Sequence, residues 1–598
     1  MRHPPQRLHW LWFIGFYEVC YNMEHTLNFV FTPRGVGFRM VTPNGRNGSH
    51  DLVLRVGGDS AAGGIVATGE IFAYMASLAG LEVYTTRTIP AEIKGGHVMF
   101  QMRAALDPLT AQGDQVDVLL AYDEETYERD YKLLKPTGVL VFNSNDLKLE
   151  QEGHSHRRIG VPMHDIAKSL SFARGYNMVA VGALVKLFDM DIELAKRGIE
   201  RRFGGSKRAA ETVTVNIAAL EKGYQFIEQT LGNEVPFHLP ERTGERAERL
   251  VISGNQALSM GIIAAQCKFM AGYPITPASE IMEFLANEFP KIGGTVIQAE
   301  DEIAACGMAL GASFTGARAM TATSGPGLAL MIEMLGHASM TETPLVLVDV
   351  QRAGPSTGMP TKVSQGDLRL ACYGGNDDAP RIVLAATTVE DCFYLIPHAF
   401  NLAEKYQLPV IFLSDQDMAV RVQTVPPFDM SRVVYEGRVL YEPHDNGHGP
   451  YQRYLDTPDG VSPMSLPGQA GGQYTAEGLE HYASGAPVFS FEMHSKNMRK
   501  RARKLESALE YVEQHQLWET FGDPQAEVGI IGWGSTIGPV LEATRCCLGD
   551  ETPVHVFYPK ALMPLPEKQL AEFLKTKKTI IVPQMNFSGQ LAEMLQAK

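Results

Sequence analysis

Between residues 271 and 350, short apolar runs alternate with stretches rich in small residues, and no other feature of the sequence restricts the fold as much. The run opens on Tyr273-Pro274-Ile275-Thr276-Pro277, where two prolines stiffen a turn after an apolar segment. A helix is expected next, then a short buried strand at 296–298 and a helix at 301–313. A strand at 317–323, the tight turn Ser324-Gly325-Pro326-Gly327, another helix and a strand at 344–350 complete the pattern. A βαβαβ run of this kind implies a parallel sheet with helices on both faces. Ligands of such sheets collect outside the carboxyl ends of the strands, where Glu300 and the Ser-Gly-Pro-Gly turn fall. Taken alone, Glu300 also reads as a partner for a helix dipole, since Asp301 and Glu302 follow it.

Glu300 does not stand alone. A glutamate at a strand end, then a helix, a strand and Thr323-Ser324-Gly325-Pro326-Gly327, resembles the pyrimidine-binding domain of thiamine-diphosphate enzymes. Upstream lies the Tyr-Pro-Ile-Thr-Pro turn, and downstream lies Asp349-Val350-Gln351-Arg352-Ala353-Gly354-Pro355-Ser356-Thr357-Gly358. In that combination the chain resembles the alpha subunit of 2-oxoacid:ferredoxin oxidoreductases, nearest to the 2-oxoglutarate branch, over most of residues 51–598.

The resemblance implies a cofactor and a set of roles. Thiamine diphosphate must lose a very weakly acidic proton, and its own aminopyrimidine removes it. A carboxylate bonded to the pyrimidine ring nitrogen favours the tautomer that does so, and Glu300 is the candidate. Tyr273, Ile275 and Ser324 are expected beside the cofactor. A 2-oxoacid needs a cation for its carboxylate, and the planar fork of Arg352 suits two-point binding. Thr276 and Thr361 offer hydroxyls to the same substrate. The ordinary alternatives are a surface ion pair for Arg352 and hydroxyls bonded to their own turns for the threonines. Asp349, Glu333 and His337 lie in strand and helix contexts where local pairing accounts for them.

What the sequence lacks bears on the assembly. Thiamine enzymes hold Mg²⁺ through oxygen ligands, usually from a Gly-Asp-Gly loop, and the sequence contains none. Its seven cysteines include no C-x-x-C pair, which suits a reducing cytoplasm and provides no framework for zinc or an iron-sulphur cluster. The pyrophosphate half of the cofactor, Mg²⁺ and the iron-sulphur cluster are therefore expected in a beta subunit. The resemblance further implies a dimer of gamma-alpha/beta heterodimers, a heterotetramer. Net charge is −15 with no long basic run, which argues against nucleic acid as a partner and leaves electron delivery to ferredoxin to another subunit. No window reaches membrane-span length.

In chain order, residues 1–50 read as a leader whose structure the sequence leaves open, with Met23 or Met40 as possible starts. Residues 51–232 open with a strand and the glycine-rich turn Gly57 to Gly64, whose spacing is not that of a dinucleotide site. That turn, with Lys94-Gly95-Gly96 and Arg103, resembles the gamma domain of the family, fused ahead of the alpha region. Ser60, Lys94 and Arg103 are polar candidates for a coenzyme A path there. Residues 233–249 form a linker, 250–425 the pyrimidine-binding domain, and 426–526 an extended connection with a surface helix over 498–521. That helix carries the basic run Arg499 to Lys504, expected as a solvated face. Residues 527–598 resemble a transketolase C-terminal domain, with Gln584 where relatives usually carry glutamate.

The expected fold is therefore multidomain α/β. The expected activity is oxidative decarboxylation of 2-oxoglutarate with coenzyme A to succinyl-CoA and CO2, reversible and linked to ferredoxin. Pyruvate or a broad range of 2-oxoacids is the second substrate reading, and a nicotinamide-dependent dehydrogenase a second class.

Overall fold

The computed structural model describes residues 51–60, 64–90, 95–149, 156–205, 209–232, 247–443, 450–545 and 553–598, with short pieces at 9–11, 29–32, 35–38, 234 and 237. The chain forms two compact units. One comprises residues 22–252 and 421–427; the other comprises 1–21, 253–420 and 428–598. No helix among the described residues is long and apolar enough to cross a membrane.

The first unit is built on an eight-stranded mixed sheet. Leu52–Asp59 lies centrally, antiparallel to His97–Ala105 and parallel to Val116–Ala121, which in turn pairs in parallel with Leu134–Asn143. Val, Leu, Met and Phe side chains of these strands are buried almost without exception, as strands covered by helices require. The helices Tyr176–Leu187 and Ala209–Leu231 meet at Gly182 and Gly223. A Cβ on either glycine would lie 1.9 Å from a carbonyl oxygen of the other helix, so only glycine permits this approach. Leu250–Ser253, which the sequence reading set at the head of the next domain, is an edge strand of this same sheet beside Val422–Val425.

The second unit carries a seven-stranded sheet in the order Thr295–Gln298, Phe269–Gly272, Ala319–Thr323, Leu345–Gln351, Pro409–Asp415, Ile382–Ala385, Ala561–Met563. All pairings are parallel except the last. The three strands expected between residues 296 and 350 are present to within two residues at each end. A second, five-stranded sheet in this unit gathers Val528–Ile531, Val554–Pro559, Thr579–Ile581, Trp518–Gly522 and the short strand His9–Leu11. The two sheets are tied through Gln365, whose side-chain amide donates to the Trp533 carbonyl at 3.1 Å, whose backbone amide donates to the Met585 carbonyl and whose Oε1 accepts from the Met585 amide. Gln584 is buried and accepts from the Leu591 amide at 2.8 Å, so its side-chain oxygen serves the start of the last helix without any ionic partner in that bond.

The basic helix differs from expectation in place and in environment. It spans Phe491–Gln514, and Trp518–Gly522 beyond it is a strand rather than helix. Lys500, Arg501 and Lys504 are buried, not solvated. Both lysine ammoniums reach Glu342, at 2.6 and 2.7 Å, and the Arg453 guanidinium donates to the Glu342 carbonyl at 2.6 Å. One carboxylate thus faces three buried cations. The cations hold Glu342 well below the usual carboxylate range, while burial and mutual repulsion push Lys500 down and Lys504 to about 7. Charge content alone marks such a helix face as solvated; a buried glutamate 158 residues upstream in the chain reverses that outcome.

Candidate active site

The site forms at the carboxyl ends of Phe269–Gly272, Ala319–Thr323 and Leu345–Gln351, as the parallel topology requires. The turn after the first of these strands is held by Asn255, whose amide donates to the Pro277 carbonyl at 3.0 Å and to Glu280 at 3.2 Å. Arg352 follows the third strand and donates to the Thr276 carbonyl at 2.8 Å, which joins the two predicted substrate residues through the Thr276 backbone rather than its hydroxyl. The next segment doubles back, with the Ala353 amide donating to the Lys362 carbonyl and the Met359 amide to the Ala353 carbonyl. Thr361 thus lies next to Lys362, the residue that pairs with Ala353. The loop depends on Gly358 at φ 56°, where a Cβ would lie 2.0 Å from the Ala353 carbonyl oxygen.

The carboxylates separate differently from the sequence reading. Glu300 is exposed. Asp301 takes the N-cap position of the helix Glu302–Phe314, accepting from the Ala304 amide at 2.8 Å, which turns the following residue inward. Glu302 is therefore the buried acid, and its Cγ would lie 2.8 Å from a Cβ at Gly327. The same added Cβ would lie 1.9 Å from Thr323 Oγ1. The glycine of the Ser-Gly-Pro-Gly turn is thus the space that lets Glu302 approach the start of the helix Gly325–Met340. A clue was present in the sequence: of three consecutive acids, the one after an Asp N-cap falls in the first helical turn.

Ser324 is fully buried, and no described residue partners its Oγ; the same holds for Thr321 Oγ1. Tyr273 and Thr276 are exposed and Ile275 and Thr361 half-buried along the same edge. Arg352 is buried; desolvation weakens its charged form, and Asp367 and Glu302 sustain it. Asp349, set aside in the sequence reading as locally paired, is fully buried with no described partner on either oxygen. His337 is half-buried on its helix and Glu333 is exposed.

These residues fit the pyrimidine half of thiamine diphosphate. A buried carboxylate faces a turn where a side chain is sterically forbidden, and the buried Ser324 hydroxyl of that turn has no described partner. Of the candidates for a coenzyme A path, Lys94 lies outside the described residues. Ser60 donates to the Gly95 carbonyl at 2.7 Å. Arg103 is buried against Asp51 at 2.7 Å and donates to the Ala111 carbonyl. Ser60 follows one end of the strand Leu52–Asp59 and Arg103 is in register with Val53 at the other, so the two do not form one site.

Two family models match the chain. Residues 260–500 match pyruvate flavodoxin/ferredoxin oxidoreductase, thiamine-diphosphate-binding, and residues 54–226 match pyruvate ferredoxin/flavodoxin oxidoreductase. The chain is 32% identical to the 2-oxoglutarate oxidoreductase subunit KorA of Mycobacterium tuberculosis, over 92% of this chain and 87% of that one. It is 29% identical to the alpha subunit of 2-oxoacid:ferredoxin oxidoreductase 2 of Aeropyrum pernix, over 92% and 93%. Among solved structures it is similar to 2-oxoglutarate:ferredoxin oxidoreductase from Magnetococcus marinus with 2-oxoglutarate, coenzyme A and succinyl-CoA bound. That similarity has a TM-score of 0.84 and 42% identity, and covers 92% of this chain and 94% of that one. With the parallel sheet, the buried acid and the glycine turn in place, the chain belongs to the thiamine-diphosphate-dependent 2-oxoacid:ferredoxin oxidoreductases, as an alpha subunit that implies a beta partner.

Proposed function

We propose that this chain, assembled with a beta subunit, oxidatively decarboxylates 2-oxoglutarate with coenzyme A to succinyl-CoA and CO2 and passes the electrons to ferredoxin, in a reaction open in both directions. The observation that carries the reading is the placement of Glu302 against Gly327, with its charge acting on Arg352. The substrate is favoured by the 2-oxoglutarate enzymes among the relatives, the M. marinus structure first. Bound thiamine diphosphate supplies the electron sink that decarboxylation of a 2-oxoacid needs. Glu302 accepts a hydrogen bond at the pyrimidine ring nitrogen and so holds a proton on that atom. Arg352, fixed by the Thr276 carbonyl, receives the substrate carboxylate, and Thr361 offers a hydroxyl nearby. Mg²⁺, the pyrophosphate contacts and the iron-sulphur cluster belong to the beta subunit, and the assembly is a dimer of heterodimers.

The test is coenzyme-A-dependent viologen reduction by the purified complex carrying Glu302→Gln or Glu300→Gln. Loss of a hundredfold or more is expected for the first, about 3 kcal/mol at the barrier, and less than fivefold for the second. The reverse ranking would remove Glu302 from its role. Turnover of 2-oxoglutarate at least tenfold above pyruvate, at equal concentration, is expected; the opposite preference would overturn the substrate.

A further inference from the structure

After the strand Leu345–Gln351 the chain leaves the sheet through residues 353–363 and returns at the helix Leu368–Tyr373. Residues 354–359 are exposed and include Gly354 and Gly358, so packing gives the loop little support of its own and its anchored ends decide where it lies. At the near end, the Gln351 side chain donates to the Ser414 carbonyl at 3.0 Å and accepts from the Asp367 amide at 3.1 Å. At the neck, the Ala353 amide donates to the Lys362 carbonyl at 2.9 Å, which ties the residue after Arg352 to the residue after Thr361.

The far end is held by the carboxyl-terminal segment. Ser364 Oγ and the Gln365 amide both donate to the Met585 carbonyl, at 3.1 and 2.7 Å. Gln365 Nε2 donates to the Trp533 carbonyl and Gln365 Oε1 accepts from the Met585 amide, each at 3.1 Å. The Gln365 carbonyl accepts from Asn586 Nδ2 at 3.1 Å, and the Gly366 carbonyl from Gln590 Nε2 at 2.7 Å. Gln590 Oε1 also accepts from the Arg369 amide at 3.0 Å. Gln365 is fully buried, and each of its polar groups, in backbone and side chain alike, is bonded to the carboxyl-terminal segment.

The residue types follow from this arrangement. A carbonyl oxygen on one side and an amide hydrogen on the other call for a side chain that donates and accepts at once, which a neutral amide does and a carboxylate cannot. Gly534 leaves the room: its φ is 61°, and a Cβ there would lie 2.5 Å from Gln365 Nε2. The residue after that glycine, Ser535, donates its hydroxyl to Asp415, the register partner of Gln351 at the edge of the parallel sheet. The carboxyl-terminal segment is thereby bonded to the sheet edge beside Gln351 and to the returning chain at 364–366, on both sides of the base of the loop.

We propose that the carboxyl-terminal segment, through Gln365 and Gln590, sets the position of the loop that presents Arg352 and Thr361 to the substrate. The proposal rests on the reading of Arg352 as the carboxylate-binding cation. Ser364, Gln365 and Gln590 are positioning residues: a shift of the chain at 364–366 moves Thr361 directly, and moves the chain beside Arg352 through the pair of Ala353 with Lys362. Glu302 and Gly327, which define the cofactor side, belong to other elements. The effect of these residues therefore falls on substrate affinity and spares the cofactor.

The experiment uses the complete complex with its beta subunit and cofactor. Gln590 is half-buried at the start of the last helix, so Gln590→Ala removes both of its bonds to the loop end and leaves the core in place. Gln365→Glu keeps the shape and loses the donor to Trp533. In both variants, KM for 2-oxoglutarate at saturating coenzyme A is expected to rise about five- to tenfold, with kcat within about twofold and the thiamine diphosphate retained on gel filtration unchanged. Hydrogen exchange of the peptide 353–366 is expected to run about tenfold faster in Gln590→Ala than in wild type, and that of the peptide 319–330 to stay the same. Because the positioning acts through Arg352, Gln590→Ala combined with Arg352→Lys should raise KM by less than the product of the two separate rises. KM and loop exchange both unchanged in Gln590→Ala, or the two KM effects multiplying in full, overturns the proposal alone. A fall in kcat and in retained thiamine diphosphate with KM unmoved would mark Gln365 and Gln590 as merely structural, and overturns it too. KM unchanged in Arg352→Lys removes the reading of Arg352, and the proposal with it.

Discussion

Glu342→Gln tests how the second unit tolerates three buried cations. Glu342, Lys500 and Lys504 have side chains at most 1% exposed, and the two ammoniums share one carboxylate at 2.6 and 2.7 Å. An amide in place of that carboxylate leaves Lys500, Lys504 and Arg453 without a counter-charge. Removing one partner of a buried pair typically costs about 3 to 5 kcal/mol, and here two ammoniums lose theirs together, so the upper end is expected. For a unit of this size that corresponds to a fall of ~6 °C in unfolding temperature. The lysines escape part of the cost by shedding protons, which becomes easier as pH rises. The destabilisation is therefore larger at pH 6 than at pH 9. Thermal unfolding of the purified complex by circular dichroism at both pH values, with Glu342→Gln beside wild type, measures this. A shift under about 2 °C, or one equal at both pH values, would refute the reasoning, because it would mean the cluster is solvated or its charges are balanced by other groups.

Lys504→Met removes one cation and leaves the Lys500–Glu342 pair intact. Lys504 titrates at about 7 in the folded chain against 10.5 for an ordinary lysine, so the unfolded chain binds more protons between those values and wild-type stability rises with pH there, by up to about 1.4 kcal/mol per pH unit. The variant should be more stable than wild type at pH 7 and lose that advantage by pH 10, read from the same melts. Gly327→Ala sets a methyl group 1.9 Å from Thr323 Oγ1 and 2.8 Å from Glu302 Cγ, and should cost about 1 to 3 kcal/mol and lower the thiamine diphosphate retained on gel filtration, assayed by fluorescence after oxidation. Arg352→Lys keeps the charge but not the planar fork, and should raise KM for 2-oxoglutarate at least tenfold with a smaller effect on kcat, measured in steady state.

Much of the site was legible from residue order because a parallel sheet fixes where its loops emerge. Apolar runs at 296–298, 317–323 and 344–350 determined a βαβαβ sheet, and the sheet determined that Thr276, Ser324 and Arg352 come to one edge. Which of three successive acids turns inward was not decided by that pattern. Glu300, Asp301 and Glu302 differ only in their position relative to the first helical turn, and the cap formed by Asp301 with Ala304 settles it in favour of Glu302. Tertiary structure also reversed the reading of the basic helix and of Asp349. A run of lysines and arginines has the composition of a solvated face, and an acid in a strand that of a paired one, until the fold brings Glu342 to the first and leaves the second buried with no described partner. Local periodicity sets which elements form and in what order. The protonation and burial of a charged side chain depend on groups brought to it by the fold, and for these residues that contact was decided only in three dimensions.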